Sequence, residues 1–269
     1  MTTFQNQVAV EATIAEREWT AALGAVTEEI GDCFKRREPR AVVREMTEAM
    51  LMELDTRNCW TLAEALGHRG PHRLQHLLSR AAVDHDGARD RIAAWAAGEL
   101  ADPDAVLIVD ERHWPGHAAV LVRRHRYTRE LSFYRCHSAT PATLADLVDV
   151  VCCRWRVEED FQTSKGVCGL DQGQTTCWNS WMRWTLISKL AAAVLAITRA
   201  HTTTATTAGS ELVPASGREL LRLLRITALP GPRRDRDHLL HWSAWRRHHQ
   251  HQAAEAHRRW NNITAAATT

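Results

Sequence analysis

Only three short runs of this chain carry a pattern suited to β-structure: residues 105–110, 117–125 and 130–137. On both sides of them apolar residues recur at helical spacing, which restricts the chain to an α-rich α/β arrangement. Val8, Ala12, Ala15, Trp19, Ala22, Val26 and Ile30 make one helical stripe, and Val43, Met46, Met50 and Leu54 a second behind Pro39. A short helix over 60–66, the turn Gly67–Gly70 and a helix from Pro71 to about Val83 follow. Asp86 is expected to cap a further helix that runs through Leu100.

The character changes at Asp102-Pro103-Asp104. Ala105 to Asp110 is an uninterrupted β-favouring run and reads as a buried strand. The next two runs form a hairpin around Tyr127-Thr128-Arg129. Thr143 caps a long helix to about Lys165, and a second helix spans about 175–200. The latter contains the longest apolar stretch, Leu190 to Ile197, far short of the roughly 20 residues a bilayer requires. Residues 201–209 read as a polar linker, followed by basic helices over 217–224 and 238–261. The expected regions are therefore an N-terminal helical region (1–101), a strand-bearing middle (102–205) and a basic helical tail (206–269).

Charge is distributed unevenly along these regions. Residues 1–66 hold 12 acids against 7 bases, whereas 201–269 hold 10 arginines against 5 acids together with seven histidines. A cationic tail favours an anionic partner such as nucleic acid. The opening residues lack a charged-then-apolar leader, and the seven cysteines include no CxxC pair. Both features point to a cytoplasmic protein without stable disulfides or a zinc ribbon.

The densest chemical signal is Arg154-Trp155-Arg156-Val157-Glu158-Glu159-Asp160-Phe161-Gln162-Thr163-Ser164-Lys165. On a helix, Arg154, Glu158, Phe161 and Lys165 share a face. A carboxylate flanked by cations in this way can hold a divalent metal while the cations hold phosphates, although the same spacing also makes an ordinary salt-bridge ladder. Asp110, at the end of its strand, sits where α/β enzymes place metal ligands, and where turn aspartates also occur.

The two signals belong together in one family. The chain resembles bacterial insertion-sequence transposases of the DDE superfamily, nearest to their seven-oh-one branch. The resemblance is carried by Asn58-Cys59-Trp60-Thr61-Leu62-Ala63-Glu64, Gln75-His76-Leu77-Leu78, Asp84-His85-Asp86-Gly87, Pro103 to Glu111, Tyr134-Arg135-Cys136, the Arg154–Lys165 helix and Gly169-Leu170-Asp171-Gln172. The family's Y-x2-R-x3-E-x6-K signature matches at Arg154, Glu158 and Lys165, with Val151 in place of the tyrosine. The resemblance implies a ribonuclease-H-like catalytic domain over 102–205. It also implies two Mg²⁺ (or Mn²⁺) ions held by two Asp and one Glu, and double-stranded DNA at the transposon ends as substrate. Asp110 maps to the first Asp and Glu158 to the Glu; Arg154 and Lys165 map to DNA contacts.

The second Asp is missing. Only 47 residues separate Asp110 from Glu158, and the only Asp among them are Asp146 and Asp149, on the same expected helix as Glu158. Asp149 lies about 13 Å along that helix axis from Glu158, too far to share metals roughly 4 Å apart. From about Arg112 the pattern jumps from the first catalytic strand to the strands preceding the glutamate helix, as an internal deletion would leave it. The expectation is an incomplete ribonuclease-H-like domain without transposition activity. An alternative is a non-catalytic helical DNA-binding regulator, and self-association is left open.

Other basic elements allow two readings each. Residues 60–83 outline either a helix-turn-helix, with His72, Arg73, Gln75, His76 and Arg80 outward, or a plain αα-hairpin. Arg123, Arg124, Arg126, Arg129 and Arg135 on the hairpin could follow a phosphate backbone or simply solvate its edges. The tail interleaves Arg246, Arg247, Arg258 and Arg259 with Trp242, Trp245 and Trp260, which fits a nucleic-acid-facing helix or a solvated one, while His248 and His251 at i,i+3 are only a weak zinc signal. Trp178, Trp181 and Trp184 are expected in the core.

Overall fold

Small and branched apolar residues at three- and four-residue intervals give the first helix, α1 (Thr3–Glu29), a continuous inner face of Ala15, Trp19, Ala22, Leu23 and Val26. A computed structural model describes residues 3–101, 116–206 and 212–267, apart from the side chains of 154–156 and 264–267. After a 3₁₀ turn at Gly31–Cys33 come α2 (Arg37–Leu51), α3 (Cys59–Ala65), α4 (His72–Ser79) and α5 (His85–Glu99). Strands β1 (His117–Arg124) and β2 (Leu131–Ser138) precede α6 (Leu144–Cys168), α7 (Trp178–Thr206), α8 (Gly217–Thr227) and α9 (Arg236–Ala267). The arrangement is α-rich α/β.

The chain groups into two compact units: residues 1–100 with 165–269, and residues 101–164. In the first, α7 runs through the core and packs against α1, α2, α4, α5 and α8. Leu190, Ala191, Val194, Leu195 and Ile197 are all buried there, so the apolar stretch is a core helix. This differs from the expected division at 102–205, because the inner faces of α1 and α2 require a long apolar helix and α7 supplies it. Nor are residues 201–206 linker: α7 continues through them, with the threonine hydroxyls of Thr204 and Thr206 donating to carbonyls four residues back.

One buried and one half-buried arginine close the end of α2. Arg57 donates to the carbonyls of Met50 (2.6 Å) and Met52 (3.0 Å), and Arg225 donates to those of Leu51 (2.9 Å) and Met52 (3.2 Å). Two cations thus satisfy the open carbonyls at the negative end of α2. Burial, and then the neighbouring Arg225, lowers the pKa of Arg57. Gly169 lies past the end of α6 at φ +62°, so close to Arg57 that a Cβ there would meet its Cδ at 2.7 Å.

The cap of α5 is Asp84, two residues before the expected Asp86; its carboxylate accepts from the Gly87 amide (2.9 Å), and Asp86 is instead a first-turn acid. Of the three tryptophans expected in the core, only Trp184 is buried. Trp178 and Trp181 are exposed and stack on each other at 5.2 Å, because a three-residue step repeated twice turns the first two away from the face that Trp184 shares with Ile187.

In the second unit β1 and β2 form a two-stranded antiparallel hairpin, with Val122 opposite Phe133 and Leu121 opposite Tyr134. The turn is closed by His125 N–H to Glu130 O (2.8 Å) and carries Arg129 at φ 63°. The strand expected at 105–110 lies outside the described residues. One hairpin face is largely open: Val120 and Phe133 are each 67% exposed, and Val122 and Leu131 are exposed beside them.

Candidate metal centre and nucleic-acid surfaces

Helix α6 carries the signature segment without interruption, so helical spacing places Glu158, Phe161 and Lys165 along one side of it. Glu158 and Lys165 are exposed, and no ion pair among the described residues engages either. The backbone of Arg154 belongs to α6. Asp110 lies outside the described residues.

Of the two aspartates between Asp110 and Glu158, Asp146 has a structural role. Its carboxylate accepts from the Thr143 amide (2.8 Å) and hydroxyl (2.7 Å), while Thr143 Oγ1 accepts from the Asp146 amide (3.2 Å). This reciprocal cap starts α6, as the sequence indicates at Thr143. The hydroxyl and amide bonds hold the carboxyl pKa of Asp146 below its ordinary value. Asp149 is exposed on the next turn, still more than two turns before Glu158. Among the described residues no three His, Cys, Asp or Glu side chains gather to hold a metal ion. These described donors do not fit a two-metal centre.

The basic surfaces are clearer. Arg123, Arg124, Arg126 and Arg129 are all exposed at the hairpin tip, with the Arg126 guanidinium 5.9 Å from the Tyr127 ring centre. Residues 60–79 form a helix, a turn with Gly67 at φ +81°, and a second helix. His72, Arg73, Gln75, His76 and Arg80 are exposed, but Arg73 is drawn to Glu38 (3.5 Å) and Glu45 (3.4 Å) of α2.

What the sequence did not reveal is how α9 is seated. His238 Nε2 donates to Glu64 O (2.7 Å), His241 Nε2 to Arg69 O (2.8 Å) and Trp242 Nε1 to His68 O (2.9 Å), while Arg246 pairs with Glu64. Trp60 meets Trp245 edge-on at 4.7 Å, and His249 stacks on Trp245 at 5.2 Å. The available signal was the three- and four-residue step from Trp242 through Trp245 to His249, which reads as a seam. In the same unit a cavity of about 510 Å³ opens between Asn58, Trp60, Gln75, Gln174, Thr175 and Trp184. His248 reaches Gln252 (3.0 Å) rather than a metal-binding group.

The pattern shared by the DDE superfamily endonucleases matches residues 29–199, well over half of the chain. The chain belongs to the DDE superfamily endonuclease family. No curated protein and no solved structure matches it.

Proposed function

We propose that this chain is an insertion-sequence transposase by descent, of the seven-oh-one branch, whose ribonuclease-H-like domain has lost its middle by internal deletion. It no longer catalyses phosphoryl transfer and retains binding to duplex DNA. The observation that carries this reading is the short interval between Asp110 and Glu158: its two aspartates both lie on α6, and one is committed to a helix cap. The open apolar face of the hairpin supports it, since a complete sheet of this class is covered on both sides.

In this reading Asp110 and Glu158 are the surviving members of the catalytic and metal-binding set. Arg154 and Lys165 derive from its DNA contacts, and Arg123, Arg124 and Arg126 supply further ones. Mg²⁺ or Mn²⁺ belongs to the intact family's chemistry. No described helix is long and apolar enough to cross a membrane, and a cytoplasmic site of action next to DNA is part of the proposal.

The test incubates the full chain with duplex DNA and Mg²⁺ or Mn²⁺, and measures binding against salt in parallel. The expected result is salt-sensitive binding without cleavage. Cleavage abolished by Asp110→Ala or Glu158→Ala would refute the loss of activity, and a flat binding titration at low salt would refute the retained binding.

A further inference from the structure

Helix α9 has two halves with different environments. Up to Arg246 it is held by the turn after α3, through the tryptophan seam and the Arg246–Glu64 pair. From Arg247 to Ile263 every residue is exposed except Glu255, which is half-buried. This outer half spans about 25 Å at 1.5 Å per residue, twice the width of a DNA major groove.

Its residues are sorted around the helix. At 100° per residue, Ala253, Ala256, Trp260 and Ile263 continue the line of Trp242, Trp245 and His249. The opposite arc carries Arg247, His251, Arg258 and Asn262, flanked on one side by Gln250 and Asn261 and on the other by His248 and Arg259. Glu255 is the single acid of the outer half, and it engages Arg258 (3.0 Å) and Arg259 (3.6 Å). Exposed pairs of this kind are weak and exchange readily with phosphate. The arc therefore combines cations suited to phosphates with amides suited to base edges, on a helix whose inner half is anchored.

On this basis we infer that residues 247–263 of α9 form a duplex-DNA-binding surface that enters the major groove with its basic, amide-bearing arc inward. Arg247, Arg258 and Arg259 take phosphates, and Gln250, Asn261 and Asn262 reach base edges. The inference rests on the retained DNA binding proposed above and places it on an element outside the catalytic domain.

The experiment compares the full-length chain with Arg247→Ala/Arg258→Ala/Arg259→Ala, with Glu255→Gln and with Arg123→Ala/Arg124→Ala/Arg126→Ala. It measures affinity for a random-sequence duplex over a salt series and checks helicity of each variant. Alanine is the strongest helix former, so the triple change leaves α9 helical. Loss of three phosphate contacts makes the slope of log Kobs against log salt shallower by about 2.7, and lowers affinity on the order of 10²-fold at 0.1 M salt. Glu255→Gln releases two arginines and tightens binding, a gain that a merely structural role would not produce. If wild type binds and the α9 variants bind equally well while the hairpin variant fails, this assignment is overturned and the general DNA reading survives. If wild type does not bind at all, both fail. If the chain dimerises, Ala256→Arg dissociates the dimer and DNA affinity stays unchanged in the arginine variants, the outer half of α9 serves a second copy and the assignment is overturned.

Discussion

Replacing Trp242 with alanine should undock α9 without unfolding the rest of the helical unit. Its indole is 0% exposed, its N–H donates to His68 O at 2.9 Å, and its ring lies 5.3 Å from that of Trp245. Burial of a tryptophan removes about 150–250 Å² from water, which at about 25 cal/mol/Å² is worth about 4–6 kcal/mol. Alanine keeps a small part of this, and the half-buried His68 carbonyl loses its donor at a cost of about 1 kcal/mol. A loss of about 4 kcal/mol in docking free energy results, within the range for large-to-small aromatic changes. Trp242→Phe retains most of the packing and forfeits the hydrogen bond, so it costs about 1–2 kcal/mol. Hydrogen exchange of α9 amides reads this directly: protection in the first three turns falls by about 10³-fold in the alanine variant and about tenfold in the phenylalanine one. A loss below 1 kcal/mol for alanine, or equal effects of the two variants, would refute this account of the anchoring.

Three further outcomes are expected. Gly169→Ala forces a Cβ into the left-handed region and against Arg57, so urea unfolding should show a loss of about 1–3 kcal/mol; Ala at the open position Gly98 should cost nothing. Burial pushes the Cys168 thiol up to about 12 and the Cys59 thiol up to about 11, so exposed Cys152 and Cys177 should react with a disulfide reagent at pH 8 long before those two. Because the folded chain keeps those thiol protons that the unfolded chain releases near pH 9, stability holds below pH 9 and falls as pH rises towards 12, which melting at stepped pH values would read. Phe133→Lys on the open hairpin face should leave urea stability within about 0.5 kcal/mol and reduce binding of a hydrophobic dye; marked destabilisation would show that the face is covered.

The helices were legible because their stripes are strong: Ala15, Trp19, Ala22 and Val26 announce α1, and Thr143 with Asp146 announces the start of α6. The hairpin was equally plain in its alternation around Tyr127-Thr128-Arg129. Long-range partnership was not. Periodicity shows that Leu190 to Ile197 must be buried but not by which helices, so the packing of α7 on α1 and α2 is visible only in the structure. The roles of Arg57 and Arg225 are not legible in the sequence, since no local pattern marks an arginine that reaches helix carbonyls 173 and 174 residues away, as Arg225 does. At the candidate site, the shortage of acids between Asp110 and Glu158 was countable, whereas the commitment of Asp146 to a cap needed coordinates.

The packing of α1 on α7 has a consequence during protein synthesis. The ribosome completes α1 at Glu29, yet its principal partner begins only at Trp178. At about 5–20 residues per second, the apolar stripe of Trp19, Leu23 and Val26 waits on the order of 10 to 30 s before α7 can cover it. During that interval the nascent chain offers a greasy helix to any chaperone near the exit tunnel, and shortening the segment between the two helices shortens the wait.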